Sequence, residues 1–365
     1  MKTDVFYLLV NDQSYKQYFD ATGKAPEDVE HILLETGVRQ IESVCCDTTD
    51  VENANKWKGY AREFSKAFRQ ANNISSKLPD GSVLIYQYPS VFFGNYPELF
   101  LCFLFLSFFC FFRRKTIKIM FVVHDLPSVR YQNSHLQNWE RKIFPYASYV
   151  VSHNERMTEY ITKKLDFKGK IANLHIFDYL VKNNKGVAPH VVHSPATIAF
   201  AGNLIKPRFI PQLKNLKGKC EYHLYGREHN NMTSILSDSC QYKGCFPPDV
   251  LPSKMDEDFG LIWDGDSIDG VTGLMGEYMR YNDPHKLSLY MVAHIPVIVW
   301  KKSAIATFVE NNNVGFAVNS LAEIDKRIQE ITPAEYEKMH ASTVLIANEL
   351  TAGSRIKKCI EQLLN

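Results

Sequence analysis

The second half of the sequence holds the residues best suited to chemistry, in the segment 281–300 (YNDPHKLSLYMVAHIPVIVW). Asp283 is a predicted helix N-cap, and Pro284 suits the first helical position. His285 and Lys286 then fall in the first helical turn. A cation there is unfavourable for the helix itself, which favours an anion beside Lys286. The backbone N–H groups at the helix start and the Lys286 ammonium together predict a diphosphate site, with a solvated surface lysine as the alternative.

A glycine turn after the apolar segment Thr197–Ala201 (TIAFA) is a second candidate ligand site. Gly202 lets the backbone turn tightly and approach a ligand, and Asn203 follows it. Lys206 adds a positive charge suited to phosphate. The next apolar strand ends at Tyr225, whose ring is suited to stacking on a base, with core packing as the alternative. These residues extend the predicted nucleotide site.

Carboxylates occur in an acidic loop, DGDSIDG, that follows another apolar strand. Asp264 and Asp266 form the D-x-D pattern with which some sugar transferases hold a divalent ion against a diphosphate. A hydroxyl contact from Asp264 to a sugar, or a solvated loop, is favoured over a metal site. We therefore expect Asp264 at the substrate site and no bound metal.

Two further candidates lie in the first half of the sequence. His124 and Asp125 end an apolar strand, where an imidazole and a carboxylate are suited to deprotonating an acceptor hydroxyl. A structural pair that caps the next loop is the alternative. Thr22, Gly23 and Lys24 precede the first predicted helix, and their amides are candidates for contact with a sugar or a diphosphate.

Positioning these residues requires a regular scaffold, and the sequence predicts alternating strands and helices. Apolar strands separated by helices are typical of parallel sheets, whose ligands lie beyond the carboxyl ends of the strands. Periodicity stops in residues 181–195 (VKNNKGVAPHVVHSP), where Pro, Gly, Asn and Lys accumulate, which predicts an interdomain linker. We expect domains at 1–180 and 196–344, with the C-terminal helix 345–365 completing the first domain.

The composition excludes several classes of protein. The 365 residues, 45% hydrophobic and 22% charged, suffice for two domains with their own cores and exclude a disordered chain. Lys and Arg total 42 against 40 Asp and Glu, a formal net charge of +2 that predicts no nucleic-acid partner. The eight cysteines form no C-x-x-C, and no histidine pair has zinc-site spacing. These features predict reduced thiols in a cytoplasmic protein without a signal peptide.

One segment is unusually apolar. Residues 99–112 (LFLCFLFLSFFCFF) are followed by Arg113, Arg114 and Lys115. As a helix, this segment would span about 21 Å, short of the ~30 Å hydrocarbon core of a bilayer. A buried layer helix is one prediction. A peripheral contact of Leu99–Lys115 with anionic headgroups on the inner membrane face is another, and homo-oligomerisation through the same surface is a third.

The order of several motifs resembles one bacterial glycosyltransferase family. The motifs KAPEDVEHIL, FVVHDLPSVR, VVSHNERMTEYI, IFDYL, AFAGNL, HLYG, FGLIW and PHKLSLYMVAHIPVIV follow one another as they do in that family. The family includes galactofuranosyltransferases of polysaccharide assembly and accessory glucosyltransferases that extend sugars on adhesins. The resemblance covers nearly the whole chain. One departure is His294, which stands where the family usually has glycine before I-P-V-I.

This resemblance implies an α/β fold of the GT-B type, with two Rossmann-like domains facing each other across a deep cleft. It also implies that the C-terminal domain holds most of a UDP-sugar. By position, Asn203 and Lys206 fall at the family's Gly-Asn turn and its cationic UDP contact. His285 and Lys286 fall at the helix that holds the diphosphate, and Tyr225 falls at the end of the intervening strand. Residues Thr22 to Lys24 fall near the N-terminal contribution to the nucleotide site.

The sequence therefore predicts transfer of a galactofuranosyl, galactosyl or glucosyl group from a UDP-sugar to a hydroxyl of a saccharide or lipid-linked saccharide. Asp125 is the expected base, with His124 second, and no metal or cofactor is expected. A UDP- or sugar-binding module without activity is one alternative. A metal-dependent transferase that uses Asp264 and Asp266 is the other. A UDP-sugar epimerase or dehydrogenase is disfavoured because no G-x-G-x-x-G follows the first strand.

Overall fold

Two compact units, each built on one parallel sheet, make up the chain. The computed structural model describes residues 4–9, 23–42, 56–89, 96–182, 186, 190–227 and 236–365. The N-terminal unit comprises Met1–Ser14, Val29–Asn173 and Lys357–Asn365, and the C-terminal unit comprises Tyr15–Asp28 and Leu174–Ile356. This arrangement confirms the predicted α/β fold with two parallel-sheet domains.

The N-terminal unit contains a six-stranded parallel sheet. Its strands are β1 (Val5–Leu9), β2 (Arg39–Glu42), β3 (Val83–Tyr88), β4 (Lys118–Val123), β5 (Tyr149–Ser152) and β6 (Lys170–Asn173). They lie in the order β2-β1-β3-β4-β5-β6. The first six helices of the chain are α1 (Lys24–Glu35), α2 (Lys56–Lys77), α3 (Tyr96–Phe112), α4 (Pro127–Arg130), α5 (Ser134–Ile143) and α6 (Glu155–Lys164).

The C-terminal unit contains a second six-stranded parallel sheet. Its strands are β7 (Thr197–Ala201), β8 (Glu221–Tyr225), β9 (Cys240–Gly244), β10 (Phe259–Ile262), β11 (Val297–Trp300) and β12 (Gly315–Val318). The remaining helices are α7 (Gly273–Tyr278), α8 (Lys286–Val292), α9 (Ala306–Asn311), α10 (Ile324–Gln329), α11 (Pro333–Thr351) and α12 (Ser354–Leu364). Short 3-10 helices occupy Phe144–Tyr146, Ile210–Asn215, Leu251–Lys254 and Leu321–Glu323.

The strand order of the C-terminal sheet, β12-β11-β10-β7-β8-β9, explains where a ligand can bind. Strands β7, β10 and β11 are buried at every position, as expected for a parallel sheet covered on both faces. The chain winds outward from β7 in one direction and from β10 in the other. Ligands of such sheets bind beyond the carboxyl ends of the strands at this reversal of order. The ends of β7 and β10 therefore mark the candidate site.

The Phe-rich segment forms α3, which is buried on one side only. Leu99, Cys102, Phe103 and Leu106 lie in the core of the N-terminal unit. The residues from Phe111 to Arg114 are exposed. Neither a fully buried helix nor a fully exposed one describes this segment. Among the described helices, none is both long and apolar enough to cross a bilayer.

Candidate functional site

Gly202 and Asp264 mark the point where the strand order of the C-terminal sheet reverses. Gly202 directly follows β7 with φ at 143°, a conformation that favours glycine. Its N–H donates to the carbonyl oxygen of Tyr225 at the end of the neighbouring β8. Asp264 lies two residues beyond the end of β10 and is half-buried. The backbone of β7 and the carboxylate after β10 thus lie at the same edge of the sheet.

Lys286 extends across this edge from the first residue of α8. A Cβ atom added to Gly202 would lie 2.8 Å from Cε of Lys286, so the glycine gives the lysine side chain its room. The Lys286 Nζ lies 3.9 Å from the centroid of the Phe200 ring. In the part of the chain that the structure describes, the ammonium makes no hydrogen bond or ion pair within contact distance.

The surroundings of Lys286 change its proton affinity. Desolvation lowers the pKa of the ammonium to about 8, and the negative charge of Asp264 opposes that shift. A diphosphate at this edge would stabilise the ammonium by adding negative charge. The site therefore favours an anionic ligand. Within the described residues, no acidic side chain contacts the Lys286 ammonium directly and neutralises it.

The start of α8 differs from its prediction. The helix begins at Lys286 and ends at Val292, with His285 as an N-cap that makes no side-chain capping bond. Asp283 was predicted as the N-cap with Pro284 at the first helical position, and both lie before the helix instead. Asp283 is buried, and Pro284 is half-buried. With only seven residues, α8 adds little macrodipole. The positive potential comes chiefly from Lys286.

The end of α8 explains the departure at His294. This residue adopts φ at 59°, in the left-handed region that favours glycine. The His294 N–H donates to the carbonyl oxygen of Met291, and the next N–H, of Ile295, donates to that of Tyr290. These two bonds form a Schellman motif, which normally ends in glycine. The histidine therefore occupies a position where glycine would cost less conformational strain.

Asn203 shapes the loop beyond β7. Its side-chain oxygen accepts hydrogen bonds from the backbone N–H groups of Ile205 and Lys206, at 2.9 and 2.8 Å. This is an Asx-type turn, which leaves the Asn203 amide nitrogen facing outward. The Lys206 side chain is exposed. The structure therefore places Asn203 and Lys206 in the exposed loop that follows Gly202.

Tyr225 is a core residue of the C-terminal unit. Its ring is 4% exposed, and its hydroxyl donates to Oε1 of the buried Glu257 at 2.6 Å. His223 contacts the same oxygen through Nδ1 at 2.9 Å. The ring therefore packs in the core, which was the alternative prediction, and its hydroxyl hydrogen-bonds to a buried carboxylate. Stacking on a base is incompatible with that position.

Lys24 is buried and His285 is half-buried, on a different set of partners. The Lys24 ammonium contacts the Asp28 carboxylate at 2.5 Å and the Leu180 carbonyl oxygen at 2.6 Å. The His285 ring stacks on Tyr179 at a centroid distance of 4.9 Å. Burial lowers the pKa of His285 to about 3, with the nearby Lys24 charge contributing, so the ring is neutral.

The Lys24 side chain thus has partners within the protein, and contact of the backbone amides of this segment with a sugar or a diphosphate stays a prediction. The Lys24 ammonium donates to Asp28 and Leu180, both in the C-terminal unit. Gly23 is buried beside it. Thr22 lies outside the described residues. The local sequence does not reveal this role, since Leu180 is 156 residues from Lys24.

In the acidic loop after β10, the carboxylates of Asp264 and Asp266 have different partners. Asp264 Oδ1 accepts from the N–H of Gly265 at 2.7 Å. Asp266 is exposed and lies 3.9 Å from the guanidinium of Arg208. Within the described residues, neither carboxylate belongs to a group of three or more potential metal ligands. The negative charge of Asp264 opposes the lowering of the pKa of the Lys286 ammonium, so we include Asp264 in the candidate site.

The N-terminal candidates follow β4. His124 Nε2 lies 2.5 Å from Oε1 of Gln87, at the end of the adjacent β3. The Asp125 carboxylate forms an ion pair of 2.5 Å with Arg130. Both side chains are partly exposed at the carboxyl edge of their sheet. The structure thus gives each a defined partner and leaves each accessible from solvent.

Two site residues were absent from the sequence predictions. Phe200 forms the ring beneath the Lys286 ammonium, and its only sequence signal was its place in a buried strand. Asp178 in the motif IFDYL accepts from the N–H groups of Arg355 and Ile356, at 3.0 and 2.8 Å, and so caps α12. Burial raises the pKa of Asp178 to about 6, and these hydrogen bonds oppose the rise. Asp178 therefore positions the backbone at the start of α12.

Comparisons with known protein sequences give consistent results. The domains described as "Glucosyltransferase 3-like, N-terminal domain" and "Glucosyltransferase 3-like, C-terminal domain" match residues 8–176 and 198–363. Beta-1,6-galactofuranosyltransferase WbbI of Escherichia coli is 33% identical over 226 residues, which cover 59% of this chain and 63% of WbbI. Glucosyltransferase 3 of Streptococcus gordonii is 23% identical over 281 residues, covering 77% of this chain and 78% of that protein.

Solved structures show the same architecture at low sequence identity. Sucrose-phosphate synthase from Thermosynechococcus elongatus superposes with a TM-score of 0.62 at 12% identity, covering 99% of each chain. Anabaena HepE in complex with UDP and glucose gives a TM-score of 0.58 at 12% identity, covering 98% of this chain and 99% of HepE. These likenesses establish the GT-B fold.

Proposed function

Because the chain belongs to the glucosyltransferase 3-like family of GT-B glycosyltransferases, we propose that it transfers a hexosyl group from a UDP-sugar to an acceptor hydroxyl. The observation that carries this proposal is the Lys286 ammonium over the end of β7, where Gly202 leaves it room. The galactofuranosyl and glucosyl transfers named for relatives define the donors to test first. The acceptor is a saccharide or a lipid-linked saccharide.

Lys286 supplies what the departing UDP requires. Negative charge develops on the diphosphate as the glycosidic bond to the anomeric carbon breaks, and a fixed cation stabilises that charge. The ammonium is already positioned by Phe200 and Gly202, so little reorganisation accompanies the reaction. We propose that transfer needs no metal ion, because Lys286 occupies the position at which a divalent ion would otherwise neutralise the diphosphate.

Asp125 is our proposed base for the acceptor hydroxyl, with His124 as the second candidate. A carboxylate at the carboxyl edge of a parallel sheet is accessible to a substrate. Its ion pair with Arg130 orients the carboxylate at this strand end. His124, held by Gln87, contributes a second polar group at the same strand end.

A donor screen tests the proposal directly. We expect UDP and one of UDP-galactofuranose, UDP-galactose or UDP-glucose to raise the Tm, because a ligand that binds only the folded state stabilises it. That donor should then release UDP only when a saccharide acceptor is present. Binding without transfer across a panel of acceptors would indicate a non-catalytic module. No Tm shift with any uridine nucleotide would refute the donor assignment.

We further propose that the enzyme contacts an anionic membrane through the outer face of α2 and α3. Leu104, Phe108, Phe111 and Phe112 recur at helical spacing on the side of α3 that faces away from the core. On the neighbouring α2, Tyr60, Phe64 and Phe68 are exposed as well. Phe111 is 79% exposed, which is costly in water without a partner.

The charges around this aromatic face favour a lipid surface as its partner. Arg113 and Arg114 follow α3 and are exposed, and Arg69 is exposed on α2. No acidic side chain in the described residues forms an ion pair with these three. Because the opposite side of α3 lies in the core, the helix would lie along a bilayer surface with its aromatic rings in the acyl boundary.

Liposome flotation distinguishes this contact from a protein interface. We expect the protein to float with vesicles that contain phosphatidylglycerol and to stay in solution with neutral ones. Phe111→Ser with Phe112→Ser should abolish flotation, whereas Leu345→Ser, an exposed apolar residue on α11, should not change it. Oligomers that dissociate in the Phe variant, without any flotation of the parent protein, would refute the membrane contact.

A further inference from the structure

Three potential metal ligands converge at the amino ends of β7 and β10. Nε2 of His190 lies 2.7 Å from Oδ1 of Asp258, and Nδ1 of His193 lies 3.0 Å from the same oxygen. The three ligand atoms all lie within 4.8 Å of one another. No other group of three or more His, Cys, Asp or Glu side chains converges in this way within the described residues.

Asp258 is held rigidly at this place. Its side chain is fully buried, and its Oδ2 accepts from the N–H of Thr197 at 2.7 Å and the Thr197 hydroxyl at 3.0 Å. Oδ1 also accepts from the N–H of His193 at 3.0 Å. Both carboxylate oxygens are therefore held in place by His193 and Thr197.

The Asp258 carboxylate has no lysine or arginine partner among the described residues. Its ion pairs in the described part of the chain are with His190 and His193 alone. Neutral imidazoles donate hydrogen bonds but carry no charge. A buried anion is stabilised most strongly by a positive charge in direct contact. The site therefore has an oriented carboxylate and two imidazoles whose ligand atoms lie close together.

We propose that His190, His193 and Asp258 bind one divalent transition-metal ion, with zinc as the best match. Zinc takes His nitrogen and carboxylate oxygen at ~2.0–2.2 Å, which sets tetrahedral ligand atoms about 3.3–3.6 Å apart. The observed separations of 2.7 and 3.0 Å would need to widen by about 0.3–0.9 Å, and all three ligand atoms already lie within 4.8 Å of one another. Coordination uses neutral imidazoles whose protons lie on the other ring nitrogens.

The remaining surroundings suit entry and retention of an ion. The His193 side chain is 48% exposed and that of His190 is 21% exposed, so the open coordination position faces solvent. The His340 ring stacks on His190 at a centroid distance of 6.3 Å and orients it. Thr197 orients the carboxylate in the same way, as partners outside the coordination sphere do in metal sites.

The ion would act as a structural clip in the C-terminal unit. It would join the residues that lead into β7 with the residue that leads into β10. Lys286 lies at the opposite, carboxyl edge of these same strands. Asp258 and Asp264 are separated by six residues of extended chain, or about 20 Å. The proposed ion therefore lies outside the donor site and has no part in the transfer.

Cobalt is the probe for this site, because its visible absorption reports ligand type. Full-length protein without a histidine tag is stripped with EDTA, desalted and titrated with Co²⁺. We expect saturation at one equivalent, visible d–d bands without a thiolate charge-transfer band, and displacement by Zn²⁺. Zinc alone, added to the stripped protein in large excess over its Kd, should raise the Tm by about 3–8 °C.

Two variants and one control locate the ion. His193→Ala removes an exposed ligand, and Asp258→Asn removes the charge, and each should weaken Co²⁺ binding at least about tenfold. His31→Ala, which removes an exposed histidine on α1, should bind as the parent protein does. No saturable binding, a thiolate band, or unchanged affinity in both His193→Ala and Asp258→Asn would overturn the proposal.

Discussion

The two edges of the C-terminal sheet carry different chemistry on the same two strands. At the carboxyl edge, Gly202 and Asp264 follow β7 and β10, and Lys286 provides a cation. At the amino edge, Thr197 begins β7 and Asp258 precedes β10, and histidines surround a buried anion. One edge therefore favours an anionic ligand and the other a cation.

This difference shows how a parallel sheet separates functions. All carboxyl ends lie at one edge, so loops that follow strands can share a substrate. The amino ends lie about 13–17 Å away, the length of these four- and five-residue strands, and the residues that precede strands there are free to serve stability. Changes at one edge should therefore alter turnover, and changes at the other should alter the stability of the unit.

The largest expected effect is on turnover in Lys286→Met. Loss of a charge-assisted contact to the departing UDP should reduce kcat about 10²–10³-fold. The Tm should stay close to that of the parent protein, because the methionine keeps most of the packing against Phe200. Steady-state UDP release and thermal unfolding measure the two quantities. Lys217→Met, an exposed lysine elsewhere in the unit, is the control, and turnover of Lys286→Met near the parent value would remove Lys286 from the mechanism.

Gly202→Ala should have the next largest effect. The new Cβ would lie 2.8 Å from Cε of Lys286, so the ammonium must move, and the positive φ adds strain. We expect turnover to fall about tenfold, since misplacement of a catalytic group costs rate steeply. Gly37→Ala is the matched control, because Gly37 also has a positive φ but nothing within 4 Å of its added Cβ. Equal loss of activity in both variants would mean that backbone strain alone is responsible.

A pH dependence of UDP binding should follow from the pKa of Lys286. Only the protonated ammonium attracts the diphosphate, and its pKa is lowered to about 8 in the free protein. Affinity should therefore be highest below that value and weaken about tenfold between pH 7 and 9. Calorimetric titration with UDP at several pH values measures this affinity. In Lys286→Met the profile should be flat, and an unchanged slope in that variant would assign the titration to another group.

The smallest expected effect is that of EDTA on transfer. Chelation should leave kcat within about twofold, because Lys286 replaces a metal ion at the diphosphate. The same treatment should lower the Tm if zinc is bound at the amino edge. Transfer assays and thermal unfolding on one preparation separate the two. If EDTA abolished transfer and manganese restored it, a metal role for Asp264 and Asp266 would be favoured. The carboxyl edge would then bind a cation as well, and the proposed difference between the two edges would be wrong.

The sequence predicted those parts of the molecule that depend on near neighbours. The parallel sheets follow from strand–helix alternation, and the GT-B fold follows from the motif order, and both are confirmed. The turn at Gly202 and the lysine at position 286 were found from local patterns. The start of α8 was placed too early, because a plausible cap residue and a proline are common before helices as well as within them.

What the sequence alone determined is the order of strands and helices, since hydrophobic periodicity and glycine turns act over a few residues. Tertiary structure decided which polar side chains face solvent. Lys24 and Tyr225 proved to be buried because Asp28, Leu180 and Glu257 take up their polar groups. It also joined His190 to Asp258 across 68 residues. Such residues become neighbours only when the strands of the sheet pair, and no local sequence pattern predicts which strands pair.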